Sequence, residues 1–331
     1  MRPFAYSTAA TVAEAVSAAA APGTRFLAGG TTLYDLMKLD VEAPAAVVDV
    51  SRIAELARVD TDGPDELIIG AGARMCDVAE DPVLLRDYPA LAESLAKAAS
   101  QQLRTMATVG GNLLQRTRCA YFRGSGFPCN KREPGSGCSA LGGLDRGHAV
   151  LGGSDACVAV YPGDWAVALL AFDALIDVAG PDGERTVPLS ELHREPGDTP
   201  QAEHTLAPGE LIVRIRVPAT AAGRSSTYHK VRDRESYAFA LASAAAALAF
   251  DGPVVTEARL AVGGVATRPW RSREAEALLV GRPLTAESAR AAGEAVFSGA
   301  VPGRANRYKI ELGVRTVVDA LFLAARKEES R

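Results

Sequence analysis

The chain has 331 residues, 48% of them hydrophobic and 23% charged, with a formal net charge of −4. That length exceeds one ordinary core, so two or three domains are expected, and the composition excludes a disordered chain. Mild acidity without a block of like charge argues against nucleic acid or an anionic membrane surface as the main partner. The longest apolar run, residues 240–250, is too short to span a bilayer.

Residues 1–52 predict strand, helix, strand, helix, strand, a small α/β unit. The N-terminal apolar run is interrupted by Glu14 and carries only Arg2 as a basic residue. It reads as a strand and an amphipathic helix rather than an export signal, so a reducing cytoplasm is the default compartment. Leu33, Leu36 and Met37 stand at helical spacing, and Thr32 with Asp35 makes a capping-box pattern. Residues 53–220 predict a second unit: a strand over 66–75, one long amphipathic helix over 81–100, a helix over 164–174, a hairpin over 175–189 and a strand over 210–218. Residues 218–226 suit a linker. Residues 221–331 predict a third unit, with strands over 227–231, 240–250 and 258–266, then helices near 272–280, 285–298 and 306–326.

Two glycine motifs stand out. Ala28-Gly29-Gly30-Thr31-Thr32-Leu33 joins a predicted strand to a predicted helix, and Thr108-Val109-Gly110-Gly111-Asn112 follows the long helix. Glycines permit tight turns and close backbone approach to a phosphate, and Thr108 and Asn112 add hydrogen-bonding groups. Either could be an ordinary turn, and neither is the GxGxxG dinucleotide fingerprint. Two such loops together fit a dinucleotide gripped between two domains.

Four of the five cysteines, Cys119, Cys129, Cys138 and Cys157, fall in one glycine-rich segment with C-x9-C-x8-C-x18-C spacing. Four soft thiolates match the ligand demand of a 4Fe–4S cluster. A structural zinc site would use the same ligands, although usually in CxxC knuckles, which are absent. Free core thiols are the other reading: it suits Cys76, in a strand-like stretch, and is credible for Cys157. The four histidines share no metal-ligand spacing, and no nucleophile with an evident base occurs.

Together these residues resemble the FAD-binding (medium) subunit of the xanthine dehydrogenase-type molybdenum hydroxylases, over nearly the whole chain. Residues 26–38, FLAGGTTLYDLMK, resemble its first FAD pyrophosphate loop, placing Leu27, Ala28, Gly29, Gly30, Thr31, Thr32 and Leu33 at the cofactor. Residues 103–113, LRTMATVGGNL, resemble the second, with Thr108, Gly110, Gly111 and Asn112. Residues 162–174 and 228–245 resemble segments in which an Asp and a Lys approach the flavin, here Asp164 and Lys230. Gly163 departs from the Ser that relatives often carry.

The resemblance implies an α+β fold. A two-part FAD-binding unit of the vanillyl-alcohol-oxidase-like (PCMH) type would precede a C-terminal α+β domain of the carbon monoxide dehydrogenase flavoprotein type. It also implies electron relay. A large molybdenum-cofactor subunit and a small 2Fe–2S subunit are the expected partners, and FAD passes electrons to an external acceptor. Most members lack the cysteine-bearing insertion, about residues 116–160. The chain is similar to the subset that carries a 4Fe–4S cluster in the flavin subunit, held here by Cys119, Cys129, Cys138 and Cys157. Within that subset it is more similar to bacterial aldehyde oxidoreductases than to 4-hydroxybenzoyl-CoA reductases, the alternative. The cluster could be an electron relay or a structural element. No substrate chemistry is expected in this chain itself.

Overall fold

A computed structural model describes residues 1–329; the last two residues of the expected C-terminal unit lie outside the described residues. Three sheets organise it. The first holds strands β1 (Ala5–Thr8), β2 (Thr24–Leu27) and β3 (Ala46–Asp49), all parallel in the order β1-β3-β2. Parallel neighbours need long crossovers. Helices Val12–Ala18 and Leu33–Lys38 lie in those crossovers, and the Thr11 hydroxyl caps the former by accepting from Glu14 N at 3.1 Å.

The second sheet is antiparallel. It holds β4 (Val59–Asp60), β5 (Glu66–Gly70), β6 (Leu175–Gly180), β7 (Gly183–Pro188) and β8 (Leu211–Pro218), in the order β4-β5-β8-β6-β7. The third holds β9 (Ser226–Val231), β10 (Ala242–Asp251), β11 (Val254–Gly263) and β12 (Trp270–Arg271), in the order β12-β11-β10-β9.

The alanine run of β10 is a strand despite alanine's helical preference, because tertiary packing overrides propensity. Ala245 and Ala247 enter the core built around Leu91, Leu95 and Trp165. Ala244, Ala246 and Leu248 enter a second core with Val317 and Leu321 of helix Tyr308–Glu329. Successive side chains point to opposite faces, so one strand serves two cores and has no polar side.

Four local expectations change. The helix expected over 81–100 is two helices, Pro82–Asp87 and Pro89–Ala96, with Tyr88 at φ −140 between them. The residue before a proline is pushed out of the helical region, and Pro89 imposes that on Tyr88. Cys76 lies in a short helix, Met75–Ala79, rather than a strand; β5 ends at Gly70, and Gly72 N turns away to bond the Leu56 carbonyl at 2.7 Å. Thr32 makes no side-chain cap. Tyr34 N already donates to Gly30 O at 3.1 Å, so the first helical turn begins before Thr32 and its backbone is helical. The 218–226 segment is packed rather than loose, with Ala222, Ser225 and Ser226 buried. Among the described residues no helix is long and apolar enough to cross a membrane.

Candidate cofactor sites

The two glycine motifs meet. A Cβ on Gly29 would overlap the carbonyl oxygen of Met106, so the first loop lies directly against the backbone that precedes the second. Gly30 holds φ +72, a conformation that favours glycine. The second motif forms helix Val109–Leu113, which the Thr108 hydroxyl caps by accepting from Gly111 N at 3.3 Å. A Cβ on Gly110 would meet Ala71 Cβ at 2.6 Å, so close packing accounts for that glycine. Gly111 is different: a Cβ there would meet only the Thr108 hydroxyl, at 3.0 Å, and otherwise the cleft.

That cleft has a volume of about 1680 Å³, beyond the usual 300–1,000 Å³ of small-molecule pockets. It is lined by residues 27–33, 108, 110–112 and Asp164, so it gathers the residues expected at the FAD, with one exception. Lys230 does not reach it. Its ammonium stands behind Asp164, 2.8 Å from Oδ2, and also donates to the Lys97 carbonyl at 3.0 Å. Tyr228 donates to Asp164 Oδ1 at 2.7 Å. Burial pushes the Asp164 carboxyl up, and Lys230 opposes that. Asp164 occupies the N-cap position of helix Trp165–Ala171 without capping it, because both carboxylate oxygens are engaged elsewhere.

Sequence reasoning passed over several cleft residues. Arg118 and Arg123 line it and share Asp35, whose carboxyl Arg123 in particular holds below its ordinary value. Arg116 pairs with Glu42 and Glu203, and Lys131 reaches Glu203 at 2.9 Å. Burial raises the Glu203 carboxyl, but Arg116 and Lys131 bring it below its usual value. The arginines between the second glycine motif and Cys119 were the available signal. Gly163 is explained by its neighbour: a Cβ there would come 2.5 Å from the Tyr161 hydroxyl, which donates to the Leu113 carbonyl at 3.0 Å.

The cleft also fits a polar ligand by its orphans. Asn112 Oδ1, Arg118 Nε, His193 Nδ1 and His204 Nδ1 are buried without a hydrogen-bond partner, and all four residues line it. Buried polar atoms are normally satisfied, so their clustering here suits a ligand that carries many donors and acceptors. The bipartite glycine cradle and the size of the space suit FAD.

Next to the cleft, Cys119, Cys129, Cys138 and Cys157 line a single void of about 10 Å³, with Tyr121, Phe122, Pro128 and Ala140 around it. Cys157, Ala159 and Lys131 line both the void and the cleft. All four thiols are free. Burial pushes the Cys119 thiol up, and that of Cys157 to about 11. Cys129 and Cys138 face each other across an antiparallel bridge. Arg132 Nη1 braces the surrounding loop from 2.8–2.9 Å of the carbonyls of Tyr121, Phe122 and Gly124. Cys76 lies apart, its thiol 3.1 Å from Asp77 Oδ1. Among the described residues no three His, Cys, Asp or Glu side chains stand in metal-binding geometry. The donor set nevertheless suits a soft metal centre: four thiols share one largely apolar void, without a carboxylate.

The family signature described as the FAD binding domain in molybdopterin dehydrogenase matches residues 2–220, and that of the CO dehydrogenase flavoprotein C-terminal domain matches residues 226–323. The chain belongs to the FAD-binding subunits of the molybdopterin dehydrogenases. It is 45% identical to the aldehyde oxidoreductase FAD-binding subunit PaoB of Escherichia coli K12, covering 97% of this chain and 98% of that one. It is 28% identical to the carbon monoxide dehydrogenase medium chain of Hydrogenophaga pseudoflava, covering 97% and 96%. A solved structure of carbon monoxide dehydrogenase from the same organism superposes with a TM-score of 0.76 at 28% identity, over 99% of both chains. This FAD-binding subunit therefore has the fold expected from its sequence, a FAD-binding unit followed by a C-terminal domain of the carbon monoxide dehydrogenase flavoprotein type.

Proposed function

We propose that this chain is the FAD- and 4Fe–4S-carrying electron-transfer subunit of a heteromeric, molybdenum-dependent aldehyde oxidoreductase. Electrons released by aldehyde oxidation on a molybdenum-cofactor subunit would travel through a 2Fe–2S subunit to the FAD here, and on to an external acceptor. The likeness to an aldehyde oxidoreductase flavin subunit favours this over the 4-hydroxybenzoyl-CoA reductase reading. The observation that carries it is the shared wall: Cys157 lines both the thiol void and the cleft in which the two glycine motifs meet.

In this reading residues 27–33, 108 and 110–112 hold the FAD, and Asp164 contacts it from the cleft wall while Lys230 positions Asp164. With domain divisions at 52 and 220, the cleft would lie between the first two units, with Tyr237, Phe239 and Thr267 of the third also lining it. FAD supplies the exchange of electrons between one-electron carriers and the acceptor. The chain's own side chains bind and orient it, and the half-buried arginines Arg116, Arg118 and Arg123 supply positive charge beside an anionic dinucleotide. Cys119, Cys129, Cys138 and Cys157 hold the cluster.

Anaerobic co-purification with the partner subunits tests the reading. The expected result is one FAD, with about four irons and four acid-labile sulfides assigned to this chain. Aldehyde should bleach the flavin only when the molybdenum subunit is present. A lone chain that oxidised aldehydes with artificial dyes would overturn it, as would stoichiometric zinc in place of iron.

A further inference from the structure

We propose that His148 donates a hydrogen bond to the Cys119 thiolate and thereby raises the reduction potential of the cluster bound there. The inference rests on the 4Fe–4S reading above. His148 Nε2 stands 3.2 Å from Cys119 Sγ. The ring is buried, and its other nitrogen, Nδ1, makes no hydrogen bond of good geometry, although the Asp145 carbonyl lies beside the ring as an acceptor.

The partner at Nε2 decides the tautomer. A neutral imidazole carries one N–H. On Nδ1 that proton would point toward the Asp145 carbonyl, so burial alone does not choose between the two nitrogens. On Nε2 it faces the sulfur. A thiol could instead donate its S–H to Nε2, but a metal-bound thiolate has no proton to give. Ligation by Cys119 therefore requires the Nε2–H form.

The ring is not placed there by packing alone. His148 N donates to the Asp145 carbonyl at 2.8 Å. The Asp145 carboxylate accepts from Arg304 N at 2.6 Å and Ala305 N at 2.9 Å. Asn306 Nδ2 bonds the carbonyls of His148 and Ala149 at 3.2 and 3.1 Å. The histidine is thus clamped from the C-terminal domain and presented to one sulfur of four. Among the described side chains, no other donates to any of these sulfurs; the main-chain amides of Tyr121 and Phe122 also act on Cys119 Sγ, and Cys157 Sγ accepts from Ala159 N at 3.5 Å.

An N–H···S bond draws negative charge from the thiolate and so favours the form with the added electron. Loss of one charge-assisted hydrogen bond should lower the one-electron reduction constant about tenfold, which is a fall of about 59 mV.

The test is a redox titration of the purified complex, followed by the paramagnetic signal of the reduced cluster. His148→Phe should shift the cluster's midpoint down by that amount, with iron, sulfide and flavin potential unchanged. His148→Gln, which keeps an N–H donor, should recover part of the shift. After exchange into D2O, a deuteron coupled to the reduced cluster should be seen in the wild type and be missing in His148→Phe. An unchanged midpoint at full iron content overturns the role of His148 alone. Loss of iron from both variants also overturns it, since His148 would then be a ligand or brace. Wild-type complex without iron and labile sulfide in this chain overturns the cluster itself, and this inference with it.

Discussion

The ammonium of Lys230 lies 2.8 Å from Asp164 Oδ2, with both side chains nearly inaccessible, and only the carboxylate side of the pair reaches the cleft. A buried pair of this kind contributes little net stability, but either partner alone is an uncompensated charge. On the proposed reading, the relationship would make Lys230 a positioning residue and Asp164 the contact.

Asp164→Asn should therefore destabilise the apo chain by about 3–5 kcal/mol in denaturant unfolding, because Lys230 is left unpaired. Adding Lys230→Met should recover most of that loss. If Lys230 acts through Asp164, FAD affinity should not change further when Lys230→Met is added to Asp164→Asn. A further drop would show that Lys230 touches the cofactor itself.

The glycines separate folding from binding. Gly29 and Gly110 are required by neighbouring protein atoms, and even an alanine at Gly29 would drive into the Met106 carbonyl. Gly29→Ala should lower apo stability. Gly111→Val adds bulk mainly toward the cleft, so the variant should fold and lose FAD. Flavin absorbance per folded chain, with unfolding midpoints measured in parallel, distinguishes the two. Full occupancy in folded Gly111→Val would remove the second motif from the cofactor.

Serine at Cys119, Cys129, Cys138 or Cys157 should lower both iron and sulfide, because these thiols share one void. Cys76→Ser should spare both, its sulfur being occupied with Asp77. Zinc and iron analysis of anaerobically prepared variants reads this directly.

His193 predicts a pH dependence. Its Nε2 lies 2.9 Å from the Leu113 carbonyl, which can only accept, so that nitrogen carries the proton. Burial pushes the imidazole down from 6.5 to about 4. The folded pKa is depressed, so the contribution is present above pH 6.5 and is lost as pH falls toward 4. Below 6.5 the unfolded chain takes up a proton that the folded chain refuses. The loss is on the order of 3 kcal/mol. His193→Phe should flatten the fall in unfolding free energy between pH 7 and 4.5. An equal slope in the variant would show that His193 titrates freely.

The glycine motifs and the clustering of four cysteines were legible because each is a short run whose chemistry depends on residue type; Asp164 came only from the family resemblance. What the sequence hid depends on long-range pairing. The arginine fork of Arg118 and Arg123 on Asp35 joins residues more than eighty positions apart. His148 shares no metal-ligand spacing with the other histidines, and nothing local announces a cysteine 29 residues away as its neighbour. β10 was legible as a strand over 240–250 although, with both of its faces buried, it carries no alternation; which alanines face which core was not legible. Arg132 and Asp145 hold the cysteine loop through main-chain groups, a device that composition does not disclose.

The clamp on Asp145 has a consequence for biosynthesis. Its partners, Arg304 and Ala305, lie 159 and 160 positions downstream. When Cys157 has left the ribosome, the groups that fix Asp145 and His148 have not yet been translated. The thiol-bearing loop therefore takes its final shape only after the C-terminal helices have been made and packed, and maturation of this subunit is a post-translational event.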